Sequence, residues 1–437
     1  MNFKNVSLNF ILLLFVSITL ASNYNLNEAI FEYQTTYKRN NFDNKEVSRI
    51  NSLLNIQKDS FEHLNRYILD STNWEDNSTI LNYKKDLKKF YLNYNRAIIP
   101  ILISQTIIDE KSDEYIYFVK VNIKIDKKDI KNKLLYLYNN KKELNILNEI
   151  KDKSFNAWLD LSKEKNNLKK YNSPDIRESL IKSYNKSCNI ISATNQFING
   201  YKSLFNIDSD HAILFFLGAS DYMPNYAPVY NYLGQAYNMI NNYKQALDYY
   251  IKAIKIDPKY VDVYNNIGNL FFKENNYEKA LIYFNKTLDL SPDFYLSYYN
   301  KGMVYYEQQN YNQALDNFNK CINIKPDYAR AYYGIGLTYS KKNNFFKSIK
   351  YLNHSIQLNN KFIEAHMALG NVNREKNNFS KAIVSYENAI LIRQDYAPAY
   401  FSIGIIYERQ GNTKKAMKYF LKAQELGYKI KNINNTY

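Results

Sequence analysis

Glycine, proline and cysteine are all scarce in this chain of 437 residues, which contains 11 Gly, 8 Pro and 2 Cys. So few helix-breaking residues favour strong helices joined by short polar turns, and therefore an all-α fold. Two cysteines, Cys188 and Cys321, exclude a disulfide-rich scaffold. A single bridge between them is an alternative, but two separate packing cysteines are the favoured interpretation.

Residues suited to catalysis or metal binding are few as well. The four histidines, His63, His211, His354 and His366, are scattered and have no Cys or carboxylate neighbours at ligand spacing. No GxSxG, HExxH, P-loop or GxGxxG motif occurs. We therefore expect no catalytic residues, no metal site and no cofactor, and we expect that the protein is not an enzyme.

Long apolar runs are limited to the N-terminus. Residues 1–21 combine a Lys near the start, an apolar run from Phe10 to Leu20, and small residues toward Ala21. This layout is typical of a signal peptide, and it predicts an exported protein whose mature chain has no integral membrane segment. An uncleaved N-terminal anchor is the alternative.

A period of 34 residues dominates the second half of the chain. Glycine recurs in strict register at six positions, with aromatic residues four before and three after most of them and a small residue twelve after. The six glycines are Gly234, Gly268, Gly302, Gly336, Gly370 and Gly404. Apolar residues within each period recur at helical spacing in two segments separated by polar turns, so each period predicts two amphipathic helices.

These residues, together with Pro258, Pro292 and Pro326 at the ends of the first three periods, resemble the tetratricopeptide repeat, a helix-turn-helix unit of 34 residues. The resemblance covers residues 227 to 430 and implies a right-handed superhelical solenoid of stacked helix pairs. The predicted repeats one to six are 227–260, 261–294, 295–328, 329–362, 363–396 and 397–430. Cys321 and His366 fall on packing positions of their repeats, and residues 431–437 form a tail.

The register continues upstream in weaker form. Gly200, Ala212, Phe216 and Pro224 fall at repeat offsets, so residues 193–226 are predicted to form a degenerate repeat that caps the array. Residues 22–192 match no family pattern and read as a mainly helical region, with helical patterns at 44–69, 84–98, 153–171 and 173–184. The exception is residues 115–126, whose alternation predicts one strand with no evident partner.

Charge is unevenly distributed. The chain carries a net charge of +16, and residues 227–437 hold 27 Lys and Arg against 16 Asp and Glu. Repeat four has no acidic residue and six basic ones, at Arg330, Lys341, Lys342, Lys347, Lys350 and Lys361. A solvated basic surface explains this pattern, and an anionic envelope surface is the functional alternative. The predicted export signal and the lack of a recognisable nucleic-acid-binding motif argue against nucleic acid as a partner.

In the tetratricopeptide-repeat family, the first helix of each repeat lines a concave groove that contacts ligand. The resemblance therefore implies a partner-binding groove lined by Asn231, Gln235, Asn265, Asn269, Tyr299, Met303, Tyr333, Leu337, Met367, Asn371, Phe401 and Ile405. The first two repeats offer amides, which pair with an extended peptide backbone, and the later repeats offer mostly apolar side chains.

The resulting hypothesis is an exported scaffold or adaptor that binds a protein or extended peptide in the groove, in cell-envelope assembly or surface complexes of a bacterium. Two alternatives stay open. One is an enzyme with its catalytic part in residues 22–192 and the repeats as a targeting module. The other is a structural surface protein that binds an anionic envelope polymer.

Overall fold

The computed structural model describes residues 28–38, 52, 64, 103–112, 116–126, 136–137, 140–170 and 173–429. The predicted signal peptide, most of the helical patterns at 44–69 and 84–98, His63 and the tail at 431–437 lie outside these residues. The chain divides into two compact parts, here called the N-terminal unit (1–256) and the C-terminal unit (257–437). Repeat one therefore belongs to the N-terminal unit.

Three strands form an antiparallel sheet in the N-terminal unit: β1 (Glu28–Lys38), β2 (Ile103–Ser112) and β3 (Ile116–Asp126). The strand predicted from the alternation at 115–126 is confirmed as β3. It lies in the centre of the sheet, in the order β1-β3-β2. Its partners β1 and β2 were not predicted, and they add a small sheet to a region expected to be mainly helical.

Five further elements of the N-terminal unit lie among its described residues, and all are helices: α1 (Lys141–Lys170), α2 (Pro174–Phe205), α3 (Ser209–Tyr222), α4 (Ala227–Met239) and α5 (Tyr243–Ile256). Pro174 begins α2 after Ser173, as the sequence predicts, because proline fits the first turn of a helix. Each helix packs on the next along the chain. Phe197, Phe216 and Tyr232 meet at ring-centroid distances of 5.5 Å and join α2, α3 and α4.

The C-terminal unit consists of five helix pairs. They are α6 (Val261–Lys273) with α7 (Tyr277–Leu290), α8 (Tyr295–Glu307) with α9 (Tyr311–Ile324), α10 (Ala329–Lys341) with α11 (Phe345–Leu358), α12 (Ile363–Glu375) with α13 (Phe379–Ile392), and α14 (Ala397–Arg409) with α15 (Thr413–Glu425). We call the first helix of a repeat its A helix and the second its B helix; in repeat one these are α4 and α5. The helical class is confirmed by these consecutive packed pairs.

The recurring glycine is where the A helix meets the B helix. A Cβ atom added to Gly268 would lie 2.5 Å from the ring of Phe284, and one added to Gly302 would lie equally close to the ring of Phe318. Gly200 meets Phe216 in the same way within the degenerate repeat. Only glycine permits this approach, so the repeated Gly is explained by helix packing.

The turn from A helix to B helix needs a left-handed residue in every repeat. Positive φ angles of 57° to 72° occur at Asn241, Asn275, Gln309, Asn343, Asn377 and Gly411. Asn and Gly tolerate this conformation better than other residues, which accounts for the recurring polar turns. Ile207 has φ 62° at the matching position before α3.

In repeats one, two, five and six, a hydrogen bond to the end of the preceding repeat explains the aromatic residue four before the Gly. The hydroxyl of Tyr264 donates to the carbonyl oxygen of Pro258 at 3.1 Å. In repeat five, His366 replaces this tyrosine and its Nε2 bonds the carbonyl oxygen of Asn360, also at 3.1 Å. His366 is buried, so its predicted packing role is confirmed.

Cys188 and Cys321 are both buried and free, as the favoured interpretation predicts.

Candidate partner-binding groove

The twelve residues of the predicted groove lie on the A helices, at the fifth and ninth positions of each repeat. Asn231 and Gln235 are on α4 in the N-terminal unit, and the other ten are on α6, α8, α10, α12 and α14 in the C-terminal unit. Asn231 and Asn265 are buried, Asn371 is exposed, and the remaining nine are half-buried. Half-burial leaves part of each of these nine side chains open to a partner.

Asn265 connects neighbouring A helices. Its Oδ1 accepts a hydrogen bond from the hydroxyl of Ser297 and another from Nδ2 of Asn300, each at 3.0 Å, and both donors are on α8. The side chain is only 5% exposed. The amide oxygen that the sequence assigned to a peptide backbone is therefore occupied within the protein. Asn269, one turn later on α6, is half-buried.

Three of the eight groove residues in repeats three to six are aromatic, and each of these packs against a second ring. Tyr299 meets Tyr328 at a centroid distance of 5.4 Å, and Tyr333 meets Phe362 at 5.0 Å. Phe401 stacks on Tyr428 at 4.5 Å. These pairs fix the orientation of the groove rings before any partner arrives.

The second ring of the first two pairs was missed in the sequence analysis. Tyr328 and Phe362 precede the A helix of the next repeat, at the last position of their own repeat. A signal existed, because aromatic residues recur there at the same spacing of 34, at Tyr226, Tyr260, Phe294, Tyr328, Phe362 and Tyr396. These residues lie at the repeat boundary, away from the glycine that defines the register.

Two opposite charges lie beside the groove tyrosines. Arg330 and Glu364 are exposed and occupy the second position of α10 and α12. Burial raises the pKa of Tyr299, while the nearby charge of Arg330 opposes this rise and that of Glu364 adds to it. Burial also raises the pKa of Tyr333 to about 12, with Tyr299 and Glu364 contributing. Both phenols are therefore neutral hydrogen-bonding groups at physiological pH.

The remaining groove residues are apolar or amide groups supported by the core. Met303 packs on the cluster around Phe318, Leu337 packs on that around Leu352, and Met367 packs on that around Tyr386. Asn371 Oδ1 accepts a hydrogen bond from the hydroxyl of Tyr386 at 2.8 Å. The C-terminal unit thus presents a mixed aromatic, thioether and aliphatic surface along its A helices.

The basic residues of repeat four do not form one cluster. Arg330 and Lys341 lie on α10, Lys342 caps it, Lys347 and Lys350 lie on α11, and Lys361 precedes α12. Lys342 Nζ donates to Asn312 Oδ1 at 2.6 Å.

In the described part of the N-terminal unit, the carboxylate of Glu143 lies between two tyrosines. The hydroxyls of Tyr136 and Tyr201 both donate to the carboxylate of Glu143, from Tyr136 at 3.2 Å. Burial is the main cause of the raised pKa of both phenols, so neither gives up its proton near neutral pH. The described residues contain no group of three or more candidate metal ligands, and no helix among them has the length and apolar character to cross a membrane.

Three family models match the repeat region. A model described as TPR repeat matches residues 234–274, 302–343 and 370–411, and two models described as Tetratricopeptide repeat match 261–294 in one case and 329–362 and 397–426 in the other. The matches at 261–294 and 329–362 coincide with the predicted repeats two and four. A search of curated proteins gives no match.

Solved structures similar to this chain include repeat proteins of several kinds. MamA is 29% identical over 37% of this chain and 94% of its own, with a TM-score of 0.34. YrrB, described as a TPR protein with an unusual peptide-binding site, is 25% identical over 41% of this chain and 92% of its own, with a TM-score of 0.33. A tetratricopeptide repeat protein from Parabacteroides merdae is 21% identical over 54% of this chain and 94% of its own, with a TM-score of 0.45.

Proposed function

We propose that this chain, whose residues 234–294, 302–362 and 370–426 match tetratricopeptide-repeat models, is a non-enzymatic scaffold whose groove holds a protein partner. The observation that carries the proposal is the row of half-buried apolar side chains on the A helices of repeats three to six. Such side chains are ordered yet still accessible, and anchors of this kind commonly dominate binding energy.

The proposed partner presents an extended segment with apolar side chains. Rings occupy the fifth position of repeats three, four and six, at Tyr299, Tyr333 and Phe401, and Met367 occupies it in repeat five. Successive anchors of the segment would therefore meet successive A helices. Arg330 and Glu364 add one charge of each sign beside these rings. Opposite charges at fixed positions would favour one direction and register of the bound segment. The mechanism is stoichiometric binding.

The proposed place of action is the cell envelope. The signal-peptide layout of residues 1–21 supports export, and a scaffold in the periplasm or at the surface would assemble envelope complexes. N-terminal sequencing of the protein recovered from a bacterial host's periplasm would check this. A mature N-terminus near residue 22 supports export, and an intact Met1 in the cytoplasm contradicts it.

Groove binding is tested with peptides selected from a displayed library on the full chain. Affinity of a selected peptide is then measured for the variant Tyr299→Ala, Tyr333→Ala and Phe401→Ala. Loss of three desolvated aromatic anchors is expected to weaken binding at least about 100-fold.

A matched control removes three half-buried rings from B helices, Tyr283→Ala, Tyr351→Ala and Tyr419→Ala. Each of these rings stacks on an aromatic residue of an A helix. Each groove ring also packs against a second ring, so both variants lose ring packing. Circular dichroism establishes that each variant is folded. Equal affinity of the two variants would contradict the groove as the binding site.

A further inference from the structure

The exposed apolar residues of the C-terminal unit are confined to one kind of helix. Among its described residues, every large hydrophobic side chain that is exposed lies on a B helix: Ile282, Ile324, Phe346, Leu358, Val384, Leu391, Met417 and Leu421. Six of these eight lie on α11, α13 and α15. The described A helices of this unit, which carry ten of the twelve predicted groove residues, expose none. The B helices therefore present a surface that the groove does not explain.

Four of the exposed side chains in repeats four to six lie at positions that form one stripe. Phe346 is 79% exposed and Leu391 is 77% exposed. With Val384 and Leu421 they occupy repeat positions 18, 29, 22 and 25, which are separated by three or four residues and so fall on one face of a helix. Each B helix packs on its own A helix, and α11 and α13 also pack on the next A helix along the chain. The stripe is the side that this packing leaves in solvent.

Lysine accompanies the apolar residues on the same three helices. α11, α13 and α15 carry seven lysines, all exposed, at Lys347, Lys350, Lys381, Lys414, Lys415, Lys418 and Lys422. Their acidic residues are Glu387 and Glu425, and Glu425 is paired with Lys422 at 3.0 Å. The formal charge of the three helices is therefore +5, from seven lysines less two carboxylates.

The B helices of repeats two and three differ. α7 and α9 together carry Lys279, Lys286 and Lys320 against Glu278, Asp289 and Asp316, so their formal charge is zero. They expose only Ile282 and Ile324 among large hydrophobic side chains. Ile282 occupies the same repeat position as Val384, so the combination of exposed apolar side chains with a net positive charge, rather than apolar exposure alone, is a property of repeats four to six.

We propose that the outer face of α11, α13 and α15, here called the basic B face, docks on an anionic lipid surface. Apolar tips that project beyond the backbone enter the headgroup region, and lysines around them meet lipid phosphates, which is the pattern of interfacial membrane binding. A soluble protein partner would need a complementary acidic surface with pockets for the projecting tips, whereas a bilayer supplies both features without shape matching.

This docking is independent of the groove. The basic B face is on B helices, and the groove residues are on A helices, so one chain could hold a partner and lie on a membrane at the same time. The combination would make the protein a peripheral scaffold that concentrates its partner at the lipid surface.

The test is co-sedimentation of the full chain with two kinds of vesicle. One kind contains phosphatidylcholine alone, and the other contains phosphatidylcholine with about one third phosphatidylglycerol. Binding is expected only to the anionic vesicles and is expected to weaken as salt rises, because salt screens exposed charges. The variant Lys414→Gln, Lys415→Gln, Lys418→Gln should bind at least about tenfold more weakly. Phe346→Asn should also weaken binding while leaving the fold intact, because this side chain is already in solvent.

Ile282→Asn with Lys286→Gln on the neutral helix α7 is the matched control, and its vesicle binding is expected to equal that of the wild type. Equal binding to neutral and anionic vesicles, or lysine and Phe346 variants that bind as the wild type does, would overturn the proposal. Self-association of the free chain that the lysine variant abolishes would also overturn it, since the face would then bind a second copy.

Discussion

A helices and B helices of the C-terminal unit follow the same 34-residue period, yet they present different surfaces. A helices keep their large apolar side chains half-buried and paired, as in Tyr333 with Phe362. The B helices of repeats four to six leave several such side chains in solvent, as in Phe346 and Leu391, and they also carry exposed lysines. The period therefore constrains only the positions at which helices touch, and the other positions are free to serve two different purposes.

The largest effect of a mutation on stability is expected at the contact between the A helix and the B helix. In Gly268→Leu, the new side chain would overlap the ring of Phe284, since even a Cβ atom would lie 2.5 Å from it. We expect the free energy of unfolding to fall by about 1 to 3 kcal/mol, as overpacking does in other cores.

Urea unfolding measures this effect. Lys273→Leu on the same helix is the control, because Lys273 is exposed at its end, and it should change stability by less than about 0.5 kcal/mol. Similar unfolding midpoints for the two variants would show that the glycine register does not mark the helix contact.

High pH should act through the groove tyrosines. Burial raises the pKa of Tyr333 to about 12 in the folded protein, above the value of about 10 in an unfolded chain. The unfolded state therefore loses its proton first as pH rises. Stability is fully retained below about pH 10 and falls between about pH 10 and 12, by about 1 to 2 kcal/mol for this residue.

Urea unfolding of the wild type and Tyr333→Phe at pH 8 and at pH 11 would measure the effect. The variant should lose less stability than the wild type between the two values, because it has no proton to lose at this position. An equal loss in both proteins would mean that Tyr333 is not buried as described.

The smallest expected effect concerns the turn between A and B helices. Ile207 holds φ 62° and is 79% exposed, whereas the matching residue of repeat one is Asn241. A β-branched residue is disfavoured in this conformation, so Ile207→Asn should raise stability by about 1 kcal/mol. Thermal unfolding would measure it, and the reverse exchange Asn241→Ile should lower the midpoint. A lower midpoint for Ile207→Asn would contradict the strained turn.

Much of the fold followed from the sequence because packing leaves a periodic record. The glycine at every thirty-fourth position and the small residue twelve later predicted the helix pairs, and alternation at 115–126 predicted β3. β1, one of the two partners of β3, was not predictable in the same way. β1 lies about 80 residues earlier in the chain, and pairing across such a distance leaves no local pattern.

The groove was only partly predictable for a related reason. Spacing placed Asn265 and Tyr299 at equivalent positions, but it could not show that Asn265 is taken by Ser297 and Asn300. Side-chain hydrogen bonds between helices depend on which neighbours meet, and that is set after the helices pack. Whether the groove binds a partner stays a prediction.

The sequence by itself determined the repeat: its length, its two helices, the close approach at glycine and the left-handed turn, because each rests on local geometry that only certain residues permit. The tertiary structure decided which of the other residues are available. Burial distinguished the structural Asn265 from the accessible rings on the A helices, and it left Phe346 and Leu391 in solvent on the B helices. Exposure is a property of neighbours, which a chain acquires only when its repeats stack.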